Sequence, residues 1–186
     1  RTEVKRDGKL WMQEYQRGKP KKLVAAVGKS TGTGTKQYFQ ADDQIFSVLE
    51  YDWQTIIDHL RQQAYLTKAV KITVRDERVK GQEKSHTFYF EGGIASYVKY
   101  LNHSGEAKQE KVFYVDKTEE EIQVEVAVQY AAEYREMVYT FANNIYNPEG
   151  GMHLIGFKSA LTRVLNKYAR KNNFLKEKDQ NLTAED

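Results

Sequence analysis

Apolar residues recur at three- and four-residue spacing through residues 150–172, at Leu154, Phe157, Leu161, Val164, Leu165 and Tyr168. On a helix these positions form one stripe, wide enough to face a core. Arg163, Lys167 and Arg170 fall near the opposite side. The pattern predicts a long helix that opens after a glycine pair, Gly150-Gly151, and closes in a basic run.

The rest of the chain alternates between the two basic periods. Residues 1–6 and 9–17 read as strands joined across Asp7-Gly8, a dipeptide suited to a type I′ hairpin turn because both turn residues need positive φ. Pro20 breaks that pattern. Leu23 to Val27 reads as a third strand, Gly28 to Thr35 as a turn-rich link and Lys36 to Gln40 as a fourth strand. Trp53, Ile56, Ile57, Leu60 and Ala64 mark a helix, with Asp52 as its expected N-cap. Val70, Ile72 and Val74 alternate with polar neighbours, as a half-buried strand does. Residues 78–84 read as a polar loop and Ser85 to Phe90 as a further strand.

Glu91-Gly92-Gly93 reads as a boundary. Beyond it Ile94, Tyr97, Val98 and Leu101 give a short helix. Residues 103–110 are polar and read as a mobile loop, and Lys111 to Asp116 as a strand. Ile122, Val124, Val126, Val128 and Tyr130 give the clearest alternation in the chain. Its expected antiparallel neighbour is Arg135 to Ala142, with Tyr134 near the turn. Asn143 to Glu149 is read as a loop carrying Pro148. Thr183 to Asp186 reads as the start of another helix, with Thr as cap. A chain that begins on a strand and stops on a cap is expected to be part of something longer.

Composition narrows the class. The 186 residues suit one ordinary domain or two small ones, and 40% hydrophobic with 30% charged residues suits a globular chain. No apolar run approaches about 20 residues, so no membrane-spanning helix is expected, and the first residues lack a signal-peptide core. Cysteine is absent, which excludes disulfides and cysteine-held metals and fits a reducing cytoplasm. A net charge of +3 is too small to imply nucleic acid by itself.

Local motifs give little chemistry. Gly28-Lys29-Ser30 would need a glycine at position 23 to make a phosphate-binding P-loop, and Leu23 stands there. His59, His86, His103 and His153 show no ligand spacing to one another, so no metal site is expected. Glu119 to Glu121 reads as a solvated turn. No nucleophile or general base stands out, so no catalytic residue is assigned to this chain. The basic face of the long helix could contact phosphates; a solvated helix exterior is the plainer reading of the same residues.

Taken together, six segments resemble a known family. They are RDGKLWMQEYQRGKP (6–20), TGT (33–35) with Phe39 four positions on, LRQQAYL (60–66), YFEGGIASYVKYLN (89–102), FANNI (141–145) and EGGMHLIGFKSALTRVLNKY (149–168). The chain is similar along nearly its whole length to the ATPase-bearing B chain of bacterial type IIA topoisomerases, DNA gyrase above all, with topoisomerase IV as the near alternative.

The resemblance implies an α+β fold. Residues 1–91 would be the C-terminal part of a GHKL ATPase sandwich, a mixed sheet plus helices. Residues 92–186 would be the first part of a ribosomal-protein-like α+β transducer domain. Thr35, with Gly34, would help hold the adenine end of ATP, and Arg6 would lie at the mouth of the nucleotide pocket. Arg163, Lys167 and Arg170 are the candidates for a cavity that passes DNA. The magnesium ligands and the catalytic glutamate of the family precede Arg1, and the lysine that reaches the γ-phosphate follows Asp186. ATP with Mg is therefore the expected cofactor, its metal ligands lying outside this chain, and the segment alone is expected not to hydrolyse ATP. The implied partners are double-stranded DNA, the gyrase A protein and a second gyrase B protein on ATP binding, in the cytoplasm and away from membranes. Three positions depart from the family's usual residues: Met152 for threonine, Gln37 for a small aliphatic residue and Ala69 for glycine. A stand-alone nucleic-acid-binding α+β module and a purely structural interaction segment are the readings from other classes.

Overall fold

The Asp7-Gly8 turn forms as its chemistry requires, with φ of 53° and 72°. It joins β1 (Thr2–Arg6) to β2 (Lys9–Gln13) in an antiparallel hairpin whose register sets Val4 opposite Trp11 and Arg6 opposite Lys9. A second hairpin follows at once, β3 (Tyr15–Gln16) to β4 (Lys19–Pro20), across Arg17-Gly18 at φ 49° and 76°. Pro20 therefore ends a short strand rather than breaking the pattern, an allowed place because a two-stranded ribbon leaves its missing N–H on an edge. The third and fourth strands are shifted from their expected spans, to β5 (Ala25–Lys29) and β6 (Gly34–Gln37). Gly28 and Lys29 lie within β5, which leaves no phosphate loop there. The sheet order is β5-β2-β1-β6, and each of its pairings is antiparallel.

The structure is a computed structural model and describes residues 1–132 and 136–183. The chain folds as two compact units, Arg1–Trp53 and Gln54–Asp186. In the first unit the Arg17 guanidinium holds the Asp42 carboxylate at 2.6 Å, tying the second hairpin to the segment that follows β6. The same contact draws the Asp42 carboxyl below its ordinary pKa.

The second unit is built on α1 (Trp53–Leu66). Ile57, Ala64 and Tyr65 lie seven and eight positions apart, on one helical face, and all three are buried. The helix leads through a turn at 67–70, closed by the Val70 N–H donating to the Thr67 carbonyl at 3.0 Å. Ala69 occupies its third position at φ 61°, where a glycine would fit without steric strain. Next come β7 (Ile72–Asp76) and β8 (Lys84–Phe88), a hairpin braced by a 2.9 Å hydrogen bond between the Thr73 and Thr87 hydroxyls.

Helix α2 (Gly93–Leu101) begins on the expected boundary glycine, which lies at φ 53°. The polar segment after it is pinned at two points: the Lys108 N–H donates to the Tyr130 carbonyl at 2.7 Å and the Ala132 N–H to the Glu106 carbonyl at 2.8 Å.

The strand over residues 122–130 takes a different neighbour from the expected one. β9 (Phe113–Glu119) and β10 (Ile122–Val128) pair in seven-residue register across Glu120-Glu121. Glu120 has φ 53°, so Glu120 and Glu121 form the expected turn, while Glu119 ends β9 and pairs with Ile122. Two residues suffice to connect this pair, the commonest length for an antiparallel hairpin link. Of the expected partner, Tyr134 and Arg135 lie outside the described residues. Its end, β11 (Phe141–Ala142), pairs instead with β12 (Ile145–Tyr146) across Asn143-Asn144, at φ 49° and 65°. The helix start read at 183–186 falls, past Thr183, outside the described residues.

The long helix α3 (Met152–Lys171) forms as its periodicity requires, yet none of its residues is buried. Leu154, Phe157 and Leu161 are half-covered; Val164 and Tyr168 are each 59% exposed. The expectation that this stripe faces a core within the chain is not met. The α+β class is met, with helices and antiparallel ribbons in the same unit.

Candidate functional site

Antiparallel register collects two of the three nucleotide-pocket candidates on one side of the first sheet. Thr35 of β6 stands opposite Val4 of β1. Arg6 lies two residues beyond Val4 on the same strand, so Val4, Arg6 and Thr35 share a face. Gly34 stands opposite Lys5, one position out of phase. Thr35, Gly34 and Arg6 are all exposed. Among the described residues Thr35 makes no side-chain hydrogen bond, and Arg6 has only a 3.7 Å contact with Asp7, both side chains largely in solvent. A free hydroxyl and a solvated guanidinium on one sheet face suit a polar ring edge and an anionic group.

Gln37, opposite Thr2 on the neighbouring strand, lies on this face too and is held there. The Thr2 hydroxyl donates to Gln37 Oε1 at 2.7 Å. Among the described residues no three His, Asp or Glu side chains gather as metal ligands.

The three basic candidates on α3 share a face by spacing and differ in what they touch. Arg163 and Lys167 are exposed, and no described residue pairs with either. Arg170 is half-buried and its donors are occupied. Nε and Nη2 both donate to Asn181 Oδ1, at 3.0 and 2.7 Å; Nη1 donates to the Lys176 carbonyl at 3.0 Å, and Nη2 also to the Asp179 carbonyl at 2.9 Å. One turn earlier Asn166 clasps the same returning segment through both its amide groups. Its Nδ2 donates to the Leu182 carbonyl at 3.0 Å and its Oδ1 accepts from the Leu182 N–H at 2.8 Å. Arg170 thus holds residues 176–181 against the end of α3. Periodicity alone cannot separate such a clasp from a free cation, and Asn181 offered no spacing signal.

Sequence reading also passed over a group of side chains around α1 and α2. A surface cavity of about 430 Å³ is lined by Asp58, His59, Arg61, Gln62, Tyr97 and Tyr100. Arg61 Nη1 bridges Asp58 at 2.7 Å and the Tyr100 hydroxyl at 3.0 Å. Burial pushes the Tyr97 phenol above its usual pKa, although the hydrogen bond from Gln62 opposes the shift. Only the tyrosine spacing in YFEGGIASYVKY hinted at this group. A separate pair on β9–β10 is fixed by a short hydrogen bond, Tyr114 Oη to Glu125 Oε1 at 2.6 Å, which pushes the Tyr114 phenol up to about 12.

The architecture has counterparts among solved structures. The ATPase domain of Thermus thermophilus gyrase B, solved with an aminocoumarin, superposes with a TM-score of 0.81 at 35% identity, covering 99% of this chain and 50% of that one. The class is an α+β segment of the gyrase-type ATPase region. A family profile described as DNA gyrase B matches residues 93–186, and the chain belongs to the DNA gyrase B family. The DNA gyrase B protein of Bacillus mycoides is 46% identical over 184 residues, which is 98% of this chain and 45% of that relative. The gyrase B protein of Clostridium acetobutylicum is 45% identical over 186 residues, covering 100% of this chain and 29% of its own length. The chain thus spans less than half the length of these relatives.

Proposed function

We propose that this chain is the middle of a gyrase B protein, the piece that couples ATP binding to the passage of one DNA duplex through another. Residues 1–91 act as the later part of the nucleotide-binding domain and residues 92–186 as the start of the transducer. The observation that carries this reading is 46% identity to a gyrase B protein over 98% of the chain. The surroundings of the candidate residues support it.

In this reading Thr35 and Gly34 face the adenine end of ATP. Arg6, on the same sheet face as Thr35, lies at the pocket mouth and meets an anionic part of the nucleotide. Bound magnesium would screen phosphate charge and is held by residues outside this chain. The protein works in the cytoplasm with DNA, the gyrase A protein and a second gyrase B protein. Two gyrase B proteins close on ATP, and ATP shifts that equilibrium only by binding the closed state better. Arg163 and Lys167 present free charge to DNA phosphates, while Arg170 keeps the helix end in shape for them. Each phosphate contact adds affinity that falls with salt.

The test is supercoiling of relaxed circular DNA by the full-length gyrase B protein with its gyrase A partner, with and without ATP. ATP-dependent supercoiling is expected, along with no ATP hydrolysis by residues 1–186 alone. Replacing Arg163 and Lys167 together by Ala is expected to lower DNA-stimulated ATP hydrolysis and supercoiling. Salt-dependent DNA binding by the 186-residue chain, joined to a full-length protein indifferent to ATP, would favour a stand-alone nucleic-acid-binding module instead.

A further inference from the structure

Helices α1 and α2 lie on either side of Gly92-Gly93 in the chain and share one side-chain assembly. Tyr65 of α1 is 5% exposed. Its ring stacks on Phe90 at 3.7 Å and on Tyr97 of α2 at 4.9 Å, with interplanar angles of 12° and 18°. Tyr97 lies 5.8 Å from Tyr139, and Tyr139 lies 5.8 Å from Tyr146 of β12. The rings therefore run without a break from Phe90, before the glycine pair, to the β11–β12 hairpin, well after it.

Polar contacts cross the same line. Gln62 Nε2 donates to the Tyr97 hydroxyl at 3.1 Å, and Gln63 Nε2 to the Asn144 carbonyl at 3.1 Å. Arg61 reaches the Tyr100 hydroxyl. At Gly93 an added Cβ would stand 3.5 Å from Lys68 Cβ, so the first residue of α2 lies directly against the turn that follows α1. A ring covered on both faces cannot slide without losing contact on each. The amide bridges fix the rotation that stacking alone would leave free.

We propose that this assembly, centred on Tyr97 as a positioning residue, makes α1 and α2 move as one piece and so carries nucleotide-driven movement across Gly92-Gly93. The inference rests on the function proposed above, in which α1 lies on the nucleotide side and α2 on the transducer side. Coupling between distant sites needs packed elements with discrete arrangements, and a loose joint here would dissipate it.

The experiment uses the full-length gyrase B protein with its gyrase A partner and measures both ATP hydrolysis and supercoils introduced per ATP. Tyr97→Leu, which removes the ring, is expected to leave hydrolysis within about twofold and to lower supercoils per ATP about fivefold or more. Tyr97→Phe, which keeps the ring, is expected to restore most of that loss. Unchanged supercoils per ATP in Tyr97→Leu overturns the inference. So does a proportional fall of both activities, the mark of a merely structural role. If Tyr97→Leu does not accumulate folded, the pair Gln62→Leu and Gln63→Leu removes both amide bridges and is judged by the same two criteria. A wild-type enzyme with no ATP-dependent supercoiling would defeat the proposed function itself, an outcome distinct from any of these.

Discussion

In α1 the apolar positions Ile57, Ala64 and Tyr65 are closed off from solvent, whereas in α3 an equally regular stripe leaves Val164 and Tyr168 more than half exposed. The two helices differ in what the chain sets against them. Tyr65 is covered by Phe90 and Tyr97, while no described element buries any residue of α3. The helices also leave differently. Asn173 follows α3 at φ 59°, in a conformation that asparagine tolerates; Ala69 follows α1 at φ 61° with a Cβ that does not. Periodicity specifies where a helix forms and which face is apolar. Whether that face contributes to stability depends on its neighbours.

The largest test of this contrast is truncation on each stripe. Tyr65→Ala is expected to destabilise the fold by about 3–5 kcal/mol, the range for aromatic core truncations, and Val164→Ala to change it by no more than about 0.5 kcal/mol. Urea denaturation of each variant measures both; comparable losses would mean that the α3 face is covered in solution.

A smaller effect separates cations of equal charge on α3. Arg170→Ala removes the clasp on residues 176–181 and is expected to cost about 1–3 kcal/mol locally. Arg163→Ala should stay within about 0.5 kcal/mol. Amide exchange at Leu182, whose N–H is held by Asn166, reports the difference: faster exchange in the first variant and no change in the second.

The smallest concerns the exits. Ala69→Gly is expected to raise stability by about 0.5–1 kcal/mol, because relief of left-handed strain exceeds the added entropy of the unfolded chain. Asn173→Gly should move it by only a few tenths, since asparagine already tolerates that region. Thermal melts of the two variants compare them directly.

Much of this was legible in the residues. Asp7-Gly8 announced its hairpin, Trp53 to Ala64 their helix, and the glycine pair at 92–93 the entry to another. The glutamates at 119–121 were read as a turn, which holds for Glu120 and Glu121 while Glu119 ends β9, yet the strand before them was not chosen as the partner of Ile122 to Val128. Alternation says which residues share a face and nothing about the neighbouring strand. Of the candidate site, common membership of the α3 basic face was readable from spacing, and the common sheet face of Arg6 and Thr35 only from register. The occupation of Arg170 was not readable, because its partners lie six to eleven residues further on, in a segment without periodicity.

The sequence by itself determined the local elements, the turn positions and the family, since these follow from side-chain period, φ preference and residue-by-residue similarity. Only the tertiary structure decided which apolar face is covered, which arginine is already bound and which rings bridge Gly92-Gly93. Those outcomes depend on groups distant in the chain meeting within a few ångströms, and short-range pattern does not encode such meetings.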